Sequence, residues 1–438
     1  MTDKEVLLAP FFRRLSQIPT WSSTGRVTKS IGTLVESDGP ICSVGDCCEI
    51  VDSDDEVHQG EVVGFRGHTV LSMPLDQPGG IRFGDRVVTH GLRPSLAVSD
   101  ELLGRVIDGT GAPLDSLGTL RSPDFRAIHG SPPQPLDRTP IHEALGCGIR
   151  AIDGMLTCGR GQRVGIFGGS GVGKSTLIGM MARGTAADLT VVALVGERGR
   201  EVREFLEEAL GTEGLKRSVV VVATSDRSPL LRLRAALAAT AVAEYFAARH
   251  RHVLLVVDSL TRVAMAQREI GLAAGEPPTA KGYTPSVFSL MAQLVERAGH
   301  FGSGSITAFY SLLMEGDDQQ DPLVDAVRAL LDGHIVLDRK LAAQNHFPPI
   351  AVLDSLSRLI TAVCERDQLT KIQRLRKLLA AYSASEDLIR VGAYQKGADP
   401  VLDKAIEVVP ALNAFLQQDR AEKCTFEEAR ARLLALPG

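Results

Sequence analysis

The sequence predicts an α/β protein in three parts: a small N-terminal β-barrel, a central doubly wound core and a C-terminal helical domain. Three observations carry this expectation. Residues 25–92 consist of short β-rich runs such as "EVVGFRG", "HTVLSM" and "DRVVTH", separated by Gly, Pro and Asp turns. From about Ile141, near-continuous apolar runs alternate with helical stretches, the pattern of strands buried on both faces of a parallel sheet. After about Leu369 the strand runs stop, and "IQRLRKLLAAYSASEDLIR" and the segments near 400–416 and 425–435 read as helices.

The bulk composition is that of a soluble globular protein. The 438 residues are 44% hydrophobic and 23% charged, enough for two or three domains around a sizeable core. A formal charge of −5 supplies no global basic field for nucleic acid. The seven cysteines, Cys42, Cys47, Cys48, Cys147, Cys158, Cys364 and Cys424, lack a C-x-x-C framework, which suits free thiols in a reducing cytoplasm. No run of about 18 apolar residues predicts a membrane span. The opening "MTDKEVLLAPFFRRLSQ" has no long apolar stretch before a small-residue cleavage site, so it does not read as a signal peptide.

Along the chain, residues 1–24 form an N-terminal arm. Within it, 4–18 predicts an amphipathic helix with Val6, Leu7, Phe11 and Leu15 on one side and Pro10 interrupting the pattern. That helix either packs on its own domain or serves as a docking arm for a partner or membrane. The barrel occupies 25–95. From Gly25 to Leu92 it holds five Lys or Arg and eleven Asp or Glu, so 5 − 11 = −6, and Phe65 and Phe83 are its only aromatics. A barrel for single-stranded nucleic acid needs a basic groove and stacking rings, so no nucleic-acid partner is expected. Residues 96–140, with "LLGRVIDGTGAPLD" and the proline-rich "RSPDFRAIHGSPPQPLDRTP", predict an extended linker. The core, 141–368, has strand candidates "QRVGIF", "LTVVALV", "SVVVVAT", "HVLLVVD", "SITAFYSL" and "GHIVLD", with an Ala- and Leu-rich helix over 229–249. The helical domain is 369–438.

Three motifs carry chemistry. "GGSGVGKST" places Gly168, Gly169, Ser170, Gly171, Val172, Gly173, Lys174, Ser175 and Thr176 between the strand "RVGIF" and a helix. Its glycines let backbone N–H groups wrap phosphates at a helix N-terminus. Lys174 is expected to reach the β- and γ-phosphates, and Ser175 to hold Mg²⁺ through its hydroxyl. The second motif is "HVLLVVDSLTR", which delivers Asp258 at a strand's carboxyl end, 84 residues after Lys174 (258 − 174). Asp258 is the matching acidic group for Mg²⁺, binding it directly or from one layer out. The third is "VVALVGERGREV". Glu197 follows its strand after a single glycine, close enough to the same sheet edge to polarise a water toward the γ-phosphate. Glu201 falls in the first turn of the next helix and reads equally as a dipole-matched surface carboxylate or as a catalytic one.

These motifs, in this order, resemble the catalytic subunits of rotary ATPases and the export ATPases of type III secretion. The likeness runs from about Gly25 to the chain's end. It includes "LGRVIDGTGAPLD", "GERGREV", "DSLTRVAMAQREIGLAAGEPPTAKGY", "EGDDQQDP", "LDGHIVLDRKLA" and "RVGAYQKGADPVLDKAI"; "AMAQREIGLA" and "DDQQDP" look flagellar. The resemblance implies a RecA-like P-loop ATPase core, a homohexamer with ATP and Mg²⁺ at subunit interfaces, and Ser175 and Asp258 on the metal. It implies Glu197 as the catalytic carboxylate with Arg198 in the same loop, and Arg262 near the γ-phosphate. It implies Arg358 in "VLDSLSRLI" as an arginine given in trans, and Phe347 and Tyr394 on the adenine side. It departs from the family at Ala351, where relatives carry an acid, and at Thr284, where proline is common.

The implied activity is the ATP-hydrolysing motor of the flagellar export apparatus, coupling hydrolysis to chaperone release and export. The implied partners are a stator-like negative regulator, a coiled-coil stalk protein, export chaperone–substrate complexes and the membrane export gate. The implied location is the cytoplasm, peripheral at the inner-membrane export apparatus. The alternatives are the ATPase of a non-flagellar injectisome and, from another class, a ring RNA translocase, against which the acidic barrel argues.

Overall fold

The computed structural model describes residues 21–77, 79–120, 124–302, 304–314 and 321–437. The amphipathic stretch 4–18 and the "DDQQ" part of the flagellar-looking motif lie outside these residues. Six antiparallel strands close into the expected barrel, in the order Ser23–Ile31, Leu34–Asp38, Thr69–Pro74, Val57–Arg66, Cys47–Val51, Arg86–Thr89. Period-two alternation drives closure: Cys48 and Ile50 point inward from one strand and meet Val27, Val35, Val62, Val70 and Val87 in a small apolar core.

The core is a nine-stranded sheet. Across it run Leu356–Ser357, Gly333–Val336, Arg163–Gly168, Gly304–Leu313, His252–Asp258, Leu189–Glu197, Ser218–Thr224 and Val106–Asp108, with Gly299–Phe301 paired onto Gly304–Leu313. All six predicted core strands are present. Those from Arg163–Gly168 to Ser218–Thr224 pair in parallel and are buried on both faces, which is why their sequences are continuous valine, leucine and isoleucine rather than alternating. The helix Pro229–Ala247 starts at Ser228, whose hydroxyl accepts the Leu231 N–H, and nearly every one of its residues is buried against the sheet.

The stretch 96–140 holds more structure than an extended linker. Ser95–Val98 pairs with Asp124–Ala127, and Val106–Asp108 adds a parallel strand beside Ser218–Thr224. Three residues are too few to show a period, but Ile107 is fully buried there, and the open edge of a valine strand supplies its hydrogen bonds.

The helices Arg366–Arg390, Pro400–Leu416 and Phe426–Leu434 form the C-terminal domain. Ile372, Leu375 and Leu378 of the first share one apolar cluster with Leu402, Val408, Leu412 and Phe415 of the second and with the short core helix Arg150–Met155. Among the described residues no helix is long and apolar enough to cross a membrane, and all seven cysteines are free thiols.

Candidate active site

The parallel pairing brings five strand ends to one edge of the sheet. Gly168 pairs with Leu313, Leu194 with Asp258, and Glu197 with Thr224. The loop after Gly168 turns at Gly171 and Gly173, with φ of +78° and +92°, a backbone that only glycine adopts without strain. Gly173 caps the helix Lys174–Gly184, so Lys174, Ser175 and Thr176 occupy its first turn, where free N–H groups favour an anion. Val172 is buried and anchors the loop beside Gly168.

A cavity of about 390 Å³ opens over this loop. Seven of the nine expected loop residues line it, all except Gly168 and Val172, and Glu197, Arg198, Glu201 and Arg262 stand on its other walls. At its floor the Lys174 ammonium lies 2.7 Å from Asp258 Oδ1. The Ser311 hydroxyl donates to the same oxygen at 2.7 Å. Asp258 is almost fully buried, so its charge is held by these two donors rather than by bulk water.

Glu197 ends its strand across an irregularity in the register between Val195 and itself, where Gly196 takes φ +71°. The glycine is needed twice over. A Cβ at Gly196 would sit 2.9 Å from Arg262 Cδ, so its absence lets the Arg262 stem lie across the strand end. Arg262 Nε is buried and has no hydrogen-bond partner among the described residues, a donor set beside the cavity for an acceptor to meet. Burial, the nearby Asp258 charge and a hydrogen bond with Glu201 push the Glu197 carboxyl up to about 7. The same hydrogen bond from Glu197 moves Glu201 down. Of the two carboxyls, Glu197 is thus the one whose ionisation is disfavoured, as expected when like charges crowd a half-buried site.

Arg198 caps the following helix and is exposed, 3.8 Å from Glu201. Arg200 pairs with Glu204 at 3.3 Å in solvent. Phe347 lies against the loop from the other side: its Cε1 would be 3.8 Å from a Cβ on Gly173, and its ring is half exposed. Tyr394 belongs to the C-terminal helical part. Its hydroxyl donates to Asp403 at 2.8 Å and to the Asp399 carbonyl at 3.1 Å, and it lines no part of the cavity; it pins the turn before the helix Pro400–Leu416.

Arg358 lies at the opposite end of the sheet. Ser357 pairs with Gly333, and the Arg358 N–H donates to the Asp332 carbonyl at 2.9 Å. Asp332 in turn bonds Arg163 at the start of the strand that ends in Gly168. Arg358 is thus about 16 Å from its own phosphate-binding loop along the strand direction, two strands away, and its side chain is exposed with no hydrogen bond or ion pair among the described residues. Ala351 is buried, its carbonyl accepting the Ser355 hydroxyl, and Thr284 is buried beside Gly271.

Sequence reasoning did not find Gln418, Arg420 or Arg183, which approach this site from the C-terminal domain and the far end of the loop's helix. Nothing in their local sequence marks them.

Comparison with known proteins agrees with this layout. The model of the ATP synthase alpha/beta family beta-barrel domain matches residues 27–91, that family's nucleotide-binding domain matches 148–357, and the T3SS EscN ATPase C-terminal domain matches 364–435. The flagellum-specific ATP synthase of Bacillus subtilis is 51% identical over 94% of this chain and 95% of its own length. The type 3 secretion system ATPase of Pseudomonas syringae pv. tomato is 48% identical over 97% and 96%. Assembled EscN from the enteropathogenic E. coli type III secretion system superposes with a TM-score of 0.89 at 43% identity, over 93% of this chain and 98% of that one. In complex with its central stalk EscO it superposes at 0.86.

Proposed function

This chain belongs to the family of flagellum-specific ATP synthases and type 3 secretion system ATPases, and on that premise we propose that it is the ATP-hydrolysing motor of a flagellar type III export apparatus. One observation supports the chemistry above all: Lys174, Glu197 and Arg262 line the cavity over the phosphate-binding loop from three elements, and Asp258 on a fourth lies 2.7 Å behind the Lys174 ammonium.

The residues divide the work as follows. Lys174 exchanges Asp258 for the β- and γ-phosphates as ATP enters, which leaves the Asp258 carboxylate open. That carboxylate and the Ser175 hydroxyl are hard oxygen donors of the kind Mg²⁺ takes. Bound there, Mg²⁺ would offset charge building on the phosphates. Arg262 turns its unpartnered donor toward the γ-phosphate region. Glu197 in its ionised form orients and polarises the attacking water. Arg198 and Glu201 hold the loop around it. Phe347 walls the base side of the site, with Tyr394 assigned to the same side by likeness to the family.

Arg358 cannot serve its own chain's phosphates from the far end of the sheet, so it acts on a neighbour's. This calls for a ring, proposed here as a homohexamer, and the likeness to assembled EscN supports it. A central stalk like EscO is the corresponding partner, with a stator-like negative regulator, chaperone–substrate complexes and the membrane export gate. The working place is the cytoplasmic face of the inner membrane.

Two experiments test these assignments. Glu197→Ala is expected to lower turnover by a factor of about 10² to 10⁴, with nucleotide affinity nearly unchanged; near-normal hydrolysis would remove Glu197 from the chemistry. Arg358→Ala is expected to lose about 10³ in turnover. Its activity returns when Arg358→Ala chains, which keep Glu197, are mixed into rings with Glu197→Ala chains, which keep Arg358; failure to complement would place the arginine outside the neighbour's site. The second reading, an injectisome ATPase, draws on the 43–48% identity to proteins of that kind. A deletion strain scored for both swimming and effector secretion separates the two.

A further inference from the structure

The loop leaving the helix Pro400–Leu416 reaches the nucleotide site from two directions. Gln418 is buried, and its backbone N–H donates to the Phe347 carbonyl at 2.9 Å. Its side-chain carbonyl accepts the Arg150 N–H at 2.8 Å, and its amide donates to the carbonyls of Gly148 at 2.9 Å and Glu422 at 3.1 Å. Arg150 grips the same loop in return, through the carbonyls of Phe415 and Gln417 and the carboxylate of Glu422. Two residues on, the Arg420 carbonyl accepts from Arg183 Nη2 at 2.7 Å. Arg183 is in the last turn of the helix that Lys174 begins. The Arg420 side chain lies on a second cavity of about 200 Å³, which shares Ser175, Thr176 and Glu201 with the first.

We propose that Gln418 is a positioning residue for ATP turnover: through its loop the C-terminal helical domain sets Phe347 against the phosphate-binding loop and holds the far end of the Lys174 helix. The inference rests on the ATPase reading above. Its physical basis is that the bonds of Gln418 and Arg150 are buried or half-buried and paired, with the exposed Arg183–Arg420 bond as a second tether. A shift of the C-terminal helices must either leave several donors and acceptors unpaired away from water, which is costly, or carry Phe347 and the helix along. The second course moves both walls of the nucleotide site together.

The test uses the full chain, steady-state Mg-ATP hydrolysis and the rise in melting temperature caused by a fixed ADP concentration. Gln418→Met keeps the side chain's length and removes its three hydrogen bonds; Arg183→Met removes only the tether to Arg420. KM for ATP is expected to rise about tenfold in the first and about threefold in the second, with kcat within about twofold of the parent. The ADP-induced shift shrinks in both. A Gln418→Met protein that melts earlier yet keeps the parent's KM and ADP shift overturns the proposal, because a purely structural clamp behaves that way. If Gln418→Met does not fold, Arg183→Met decides alone, and a parental KM and ADP shift in it overturns the proposal. A parent that hydrolyses no ATP would instead refute the proposed function, and the ADP shifts would still decide the role of Gln418.

Discussion

Two buried ion pairs of nearly equal length behave as opposites. Lys174 meets Asp258 at 2.7 Å and Arg234 meets Glu61 at 2.8 Å, and all four side chains are more than nine-tenths buried. Arg234, on the core helix Pro229–Ala247, ties that helix to the barrel strand that carries Glu61. Burial pushes Glu61 up, but hydrogen bonding to His129 and the Arg234 charge outweigh it and hold the carboxyl low. Arg234 too borders a cavity, of about 400 Å³, but the charges of this pair answer each other and His129 completes the set. The Lys174–Asp258 pair opens on a cavity, with Glu197 pushed up to about 7 on one side and an unpartnered Arg262 Nε on the other. A buried pair is therefore no sign of function by itself. What separates the two is whether the neighbouring groups are already satisfied, or are left in a state that an incoming anion would relieve.

The largest effects should fall on different properties at the two pairs. Lys174→Met is expected to cut turnover by about 10³ or more, while melting within a few degrees of the parent, because the Ser311 hydroxyl still donates to Asp258. Arg234→Met leaves the buried Glu61 with only His129 beside it and is expected to lose about 3 kcal/mol of stability, with kcat and KM of the folded protein within about twofold. Thermal unfolding and steady-state kinetics on both variants check this; equal losses of stability would erase the distinction.

A smaller effect sharpens it. The Glu197 carboxyl is raised from an ordinary 4.5 to about 7, so ionising it costs the folded state more than the unfolded one. That cost develops above about pH 4.5 and is complete above about pH 7. Glu197→Gln removes it, so the variant should melt higher than the parent above pH 7, with the gap closing as pH falls toward 4.5. A gap that does not change with pH would mean that Glu197 carries no such strain. The same ionisation predicts that kcat/KM of the parent rises with pH through about 7.

What the sequence shows and what it hides follow from the range of the interactions. The phosphate-binding loop is legible because its glycines answer a local backbone demand and its lysine sits at a fixed offset. The core strands are legible because burial on both faces forbids alternation. Asp258 and Glu197 are legible as strand ends, but their meeting with Lys174 depends on strand order across the sheet, which no short window encodes. Arg358 looks like any exposed arginine, and only likeness to a family singles it out. Tyr394 is placed on the adenine side by the same likeness alone; its local bonds to Asp399 and Asp403 are what the structure adds. Val106–Asp108 is too short for any period, and Gln418 acts through bonds to residues some 270 positions away.

That three-residue strand has a further consequence for the protein's life in solution. Ser218–Thr224 is "SVVVVAT", uncharged and β-branched, and Val106–Asp108 occupies the side of it that faces away from the rest of the sheet. Left bare, such an edge is a template for pairing with another chain. The segment joining barrel to core thus doubles as a guard against aggregation. A proteolytic nick that loosened it would expose a sticky valine edge before it separated the two domains.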